Sequence, residues 1–134
     1  GLVEPLGFEI CSLRSKREAA EAIEDIGASA TFRMVHDTFH HHLAGEPDIF
    51  PGMTGLVHVS GVDDPMVTVP DMRDPHRVLV DAFDRLDNIG QIRALSAGGY
   101  NGLFSFEPFS PAVHKLAKPG AAIAQSIEFI RSRV

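Results

Sequence analysis

Four ionisable residues stand near the ends of short apolar runs: Glu4 in LVEPLGFEI, Asp37 in ATFRMVHDT, His58 in TGLVHVSGV and Glu107 in LFSFEPF. Strand-like runs disfavour such residues, so each needs a reason. Taken singly, a carboxylate at a strand end is more often a helix cap or a rim group, and His58 could be a hydrogen-bonded core histidine. Four of them at the same end of four successive parallel strands make a stronger case, because a β/α barrel places its chemistry at that end. Brought to one point, three carboxylates and an imidazole suit Mn²⁺, Mg²⁺, Co²⁺ or Zn²⁺, with open positions left for substrate oxygens.

The elements that must position these residues alternate. Residues 2–10 read as a strand. SKREAAEAIEDIG (15–27) reads as a helix, with Ser15 as N-cap, Glu18 completing a capping box and Gly27 as the stop. Ala19, Ala22, Ile23 and Ile26 give it one apolar stripe. Residues 30–38 and 54–62 read as the second and third strands. The next stretch, 63–77, holds three prolines and many charges and reads as a long loop. Residues 88–99 read as a helix ending in a double glycine, and 103–109 as the fourth strand. Ser110 or Pro111 opens a last helical region, where 121–134 carries Ile123, Ile127 and Ile130 on one face. Strands alternating with helices imply an α/β fold with parallel strands and right-handed crossovers. No G-x-G-x-x-G follows a strand, so a Rossmann nucleotide site is unsupported.

Composition narrows the function. The chain has 134 residues, 44% hydrophobic and 22% charged, which is globular and not disordered. The net charge of -6 argues against binding the nucleic-acid backbone. No apolar run approaches the roughly 20 residues needed to span a bilayer, so no membrane partner is expected. The opening GLVEPLGFEI has no basic n-region of a signal peptide; lacking a starting Met, the chain is read as processed or as a piece of something longer. The single cysteine, Cys11, excludes an internal disulfide and suits a reducing compartment, so a cytoplasmic location is expected. Cys11 itself reads as a small packed residue.

The histidine-rich stretch VHDTFHHHLAGE (35–46) needs its own reading. His36 alternates away from Asp37 and should face the helical layer. His41 and His42 read as solvated loop residues, because adjacent positions cannot all face one ion from regular structure.

The segments VEPLGF around Glu4, VHDTFH around Asp37 and His40, LVHVSG around His58 and GYNGLFSFEPF around Glu107 resemble the xylose-isomerase-like TIM-barrel superfamily of sugar isomerases and epimerases. Relatives include D-tagatose 3-epimerase, the inosose isomerases and dehydratases and, more distantly, endonuclease IV. The resemblance implies a (β/α)8 barrel in which Glu4, Asp37, His58 and Glu107 ligate one divalent metal ion, Mn, Co, Mg or Zn. It implies that Glu4 and Glu107 are the catalytic pair, exchanging a proton with substrate through a metal-stabilised enediolate. It makes His40 a substrate contact and Arg77, in DPHR, the substrate-holding arginine, with Arg73 nearby. VDAFDRLDN (80–88) departs from the glycine-bearing turn of many relatives, so no role passes to Asp84 or Arg85.

A barrel of this kind closes with eight strands. Only four are read here, and by the resemblance Glu4 would belong to the fifth. The chain is therefore expected to be a single domain, residues 1–134, forming the C-terminal half of a TIM barrel. Its two open sheet edges would need an N-terminal barrel half or another chain to complete them. The function expected is a metal-dependent isomerase or epimerase acting on a small sugar or an inositol-derived keto-polyol. An inosose dehydratase-type lyase on the same site is one alternative, and a non-catalytic barrel-half fragment is another. An endonuclease IV-like phosphodiesterase is opposed by the acidic balance.

Overall fold

The computed structural model describes residues 1–134. Its centre is one four-stranded sheet, all parallel, in the sequential order β1 (Leu2–Val3), β2 (Arg33–Asp37), β3 (Thr54–Val59) and β4 (Phe104–Phe106). The crossovers carry α1 (Lys16–Asp25), the short α2 (Thr38–Ala44) and α3 (Asn88–Ala97). The chain ends in α4 (Pro111–His114) and α5 (Pro119–Arg131). The expected strand–helix alternation and α/β class are observed.

The strands are shorter than the apolar runs suggest, and each has a physical reason to stop. Pro5 supplies no N–H to continue a ladder after Val3. Asp37 turns the chain straight into α2, whose N-cap it is. Beyond Val59 the backbone leaves the sheet, and Gly61 pairs in antiparallel fashion with Val78. Pro108 closes the fourth run. The expected long loop 63–77 contains two proline-led 3-10 turns, Val69–Asp71 and Asp74–His76.

The predicted capping box of α1 is present: the Ser15 side chain accepts from the Glu18 N–H, and the Glu18 carboxylate accepts from the Ser15 N–H. Ala19, Ala20 and Ile23 then pack on Met34 of β2. On the same side of the sheet Val57 and Val59 of β3 meet Leu95 of α3, together with Val80 and Tyr100. Burying each such aliphatic side chain stabilises by roughly 1.5–3 kcal/mol. Side chains alternate across a strand, so the neighbours Asp37 and His58, which are register partners, lie away from this helical layer, on the opposite face of the sheet.

Leu95 is fully buried, whereas Ile10, in the loop after β1, is 95% exposed. Leu95→Ala should therefore cost about 3 kcal/mol of unfolding free energy, and Ile10→Ala less than about 0.5 kcal/mol. Denaturant titration of the full-length protein measures both; equal effects would show that the α3–β3 contact is not the core.

Candidate metal centre

The four strand ends bring the four residues together. Glu4 is the first residue past β1, Asp37 ends β2, His58 is next to last in β3, and Glu107 is the first residue past β4. A backbone bond from the Glu107 N–H to the Val59 carbonyl, 2.9 Å, fixes the last of these against β3. One donor atom from each residue lies within 4.8 Å of all the others. His58 Nδ1 is the hub: it is 3.0 Å from Glu4 Oε1, 3.4 Å from Glu107 Oε2 and 3.9 Å from Asp37 Oδ2. An ionised Glu4 only accepts, so Nδ1 donates to it as the N–H tautomer; an ion bound through Nδ1 would take the place of that proton.

Asp37 divides its two oxygens. Oδ1 accepts from the backbone N–H groups of Phe39 and His40, at 2.8 and 3.0 Å, and so caps α2. Oδ2 points into the cluster and accepts from Arg77 Nη2 at 2.5 Å. The same Nη2 donates to Glu107 Oε2 at 2.9 Å. Arg77 is only 1% exposed. Its Nε donates to Ser60 Oγ at 2.9 Å, and the rings of Phe39 and Phe109 flank its guanidinium, each centroid 4.9 Å away. The Glu107 carboxyl titrates above its ordinary range. Burial is the main cause; the charges of His58 and Arg77 oppose the rise, and Asp37 adds to it.

His40 stands on α2, its ring edge-on to Phe8 and Phe39. Burial holds its pKa below the usual value, Arg77 assisting and the carboxylates of Asp37 and Glu4 opposing. Its buried Nδ1 has no hydrogen-bond partner, which is uncommon for an enclosed polar atom. A cleft of about 550 Å³ opens between the loop after β1 and the 3-10 turns, lined by Phe8, Arg14, Leu43, Arg73 and Asp74 among others; His40 is not part of its lining.

The donor set fits a hard or borderline divalent cation. Three carboxylates and one imidazole converge within bonding reach of a single ion, and a cation among them relieves the repulsion that crowding imposes.

The sequence pattern of the xylose isomerase-like TIM barrel family matches residues 1–133, and the chain belongs to that family. Its four parallel β/α units are a partial TIM barrel. A crystal structure of a xylose isomerase domain containing protein from Salmonella typhimurium LT2 is 35% identical and superposes with a TM-score of 0.82. The match covers 99% of this chain and 48% of that one, so the chain spans about half the length of this solved relative. No curated protein matches the chain. No helix is long and apolar enough to cross a membrane.

The histidine stretch holds a second arrangement that the sequence did not reveal. His41 and His42 are part of α2, half-buried, and not in a solvated loop. Lys16, nearly buried, donates from Nζ to His36 Nδ1 at 3.0 Å and to His41 Nδ1 at 2.7 Å. His36 does face the helical layer as expected, and its Nε2 meets Gln91 Oε1 at 2.8 Å. These bonds require both imidazoles to be neutral at Nδ1. The missing signal was Lys16, which the sequence marks only as the residue after the Ser15 cap.

Burial, with Lys16 and His42 assisting, lowers the His41 pKa from 6.5 to about 4. As pH falls, the unfolded chain takes up this proton first, so stability is lost from about pH 6.5 down through 4. Glutamine offers Lys16 an acceptor but no titration. His41→Gln should therefore show a shallower loss of unfolding free energy across that window; slopes equal to wild type would show that His41 is not the group responsible.

Proposed function

We propose that this chain carries the metal-binding and proton-transfer centre of a divalent-metal-dependent isomerase or epimerase, acting on a ketose or a cyclic keto-polyol. The observation that carries the reading is the convergence of Glu4, Asp37, His58 and Glu107, donor atoms within 4.8 Å of one another, at one end of four parallel strands. These four residues would hold one ion, Mn²⁺, Co²⁺, Mg²⁺ or Zn²⁺. Such an ion, when bound, polarises a carbonyl and a neighbouring hydroxyl oxygen as a Lewis acid.

The chain's own groups supply the rest. Glu4 and Glu107 come from β1 and β4, the two outer strands of the sheet, and so flank a substrate held between them. One carboxylate takes the proton from the carbon next to the carbonyl. The C–H pair becomes the C–C double bond of an enediolate, and the carbonyl π pair moves onto oxygen. Return of a proton to the opposite face by the other carboxyl group, present as its acid, inverts the centre; return of the abstracted proton to the former carbonyl carbon, with the neighbouring hydroxyl proton passing to the first oxygen, moves the carbonyl. His40, kept neutral by burial, would contact a substrate oxygen, and Arg77, itself only 1% exposed, would help hold the substrate indirectly, by fixing the Glu107 carboxylate beside it. An N-terminal barrel half, or another chain, would complete the walls of the barrel.

Two measurements on the full-length protein test this. Glu107→Gln should reduce turnover, and the exchange of substrate C–H protons with D2O, by at least about 100-fold; near-wild-type exchange would sink the role. Dialysed wild type should retain about one equivalent of divalent metal, bound through four protein ligands, and the His58→Ala, Glu107→Gln double variant should lose it. A chain that takes up no metal even after reconstitution has a rim cluster and not a metal centre.

A further inference from the structure

The guanidinium of Arg77 sits where a metal ion's own charge is wanted. Asp37 has a single oxygen free for the cluster, Oδ2, and Arg77 Nη2 bonds it at 2.5 Å. Glu107 Oε2, the oxygen that also faces His58 Nδ1, receives the same Nη2 at 2.9 Å. Arg77 cannot readily swing away. Ser60 holds its Nε, Phe39 and Phe109 cover its faces, and the Ser110 N–H donates to the Arg77 carbonyl at 2.8 Å. The cation is thus a fixed part of the site and not a passing surface partner. An arginine does not deprotonate in a protein, so its charge is permanent.

We propose that Arg77 is a built-in counter-charge that matches this site to a divalent ion and against a trivalent one. With Glu4, Asp37 and Glu107 ionised, the carboxylates carry three negative charges, and Arg77 reduces the net to two. An ion in the cluster would share Asp37 Oδ2 with the guanidinium and lie beside the Glu107 carboxylate that the guanidinium also holds, and the repulsion it meets grows with its own charge. Arg77 therefore lowers cation affinity overall, and lowers it more for a trivalent ion than for a divalent one. It also holds the two carboxylates in place before any ion arrives, an effect that is the same for both ions and cancels in their ratio. This inference depends on the metal-centre reading above, which the same experiment separates from it.

The test is calorimetric titration of the full-length protein with Mn²⁺ and, separately, Tb³⁺, reading the ratio of the two affinities. Arg77→Gln should raise the Tb³⁺/Mn²⁺ ratio by roughly tenfold or more, and Arg77→Lys, which keeps the charge, should leave it within about twofold of wild type. Because Arg77→Gln leaves buried carboxylates uncompensated, the comparison is repeated in a background with one fewer acid. Adding Arg77→Gln to Glu107→Gln should raise the ratio by a similar factor over Glu107→Gln alone. Wild type that binds Mn²⁺ while neither Gln comparison moves the ratio overturns the counter-charge role and leaves the metal centre standing. An Arg77→Lys ratio as high as that of Arg77→Gln overturns it too. Wild type that binds neither ion overturns both readings together.

Discussion

Three carboxylates crowded around one imidazole repel each other, and the rest of the site exists to make that crowding tolerable. The fold answers with donated protons and one buried cation. His58 Nδ1–H faces all three acids, nearest to Glu4 at 3.0 Å. Arg77 ties Asp37 to Glu107. The two amide protons that open α2 satisfy the remaining oxygen of Asp37. Removing one partner from such a set leaves a buried charge uncompensated, which costs more than the pair contributes.

Arg77 makes remote parts of the chain matter to the centre. It reaches the cluster from the end of a loop that began at the C-terminal end of β3. That loop is fixed at several points: Gly61 and Val78 exchange backbone bonds, the Ser110 N–H reaches back to Arg77, and Asp84 accepts from the N–H groups of Val62, Leu86 and Asn88. Ser60 binds Arg77 through its hydroxyl, while its carbonyl accepts from Thr38 and Asn88. The position of one guanidinium therefore depends on the ends of β2 and β3, the start of α3 and the segment after β4. A loop this long is held in one shape because its polar groups are spent on each other.

Much of this was legible in the sequence, for identifiable reasons. Apolar runs separated by capped helical stretches gave the α/β alternation, and Ser15 with Glu18 marked a real helix start. The period-2 reading placed His36 and Asp37 on opposite faces, as they are. Strand ends were overrun, because an apolar run continues past the point where a proline or a cap removes the ladder partner. The helix α2 was missed because a seven-residue turn rich in histidine has almost no periodicity to detect. Its cap was in plain view: Asp37 is both the cap of α2 and a member of the cluster, so the two readings of a strand-end carboxylate, set against each other at the sequence level, are true of different oxygens. Asp84 was set aside with its segment, yet it bonds the backbone at Val62, Leu86 and Asn88. Contacts made between loops far apart in sequence leave no local pattern.

The order of the strands divides the cluster unevenly. Asp37 and His58 belong to β2 and β3, which are paired on both sides, so this chain alone fixes them. Glu4 and Glu107 follow β1 and β4, each of which has one unpaired edge. Beside β4 a groove of about 310 Å³ is lined by Phe104, Phe106, Ile127 and Ile130, and at the other edge Leu2 is half exposed. Open edges and apolar grooves of this kind are what a further run of strands and helices covers when a barrel closes. The two carboxylates proposed to move protons thus stand at the seams where the proposed second half would join, and the two groups that only anchor the ion stand away from them. Closure of the barrel would then cover the edges beside Glu4 and Glu107, and since these two are proposed both to ligate the ion and to move the proton, metal binding and turnover alike have a structural claim on the second half.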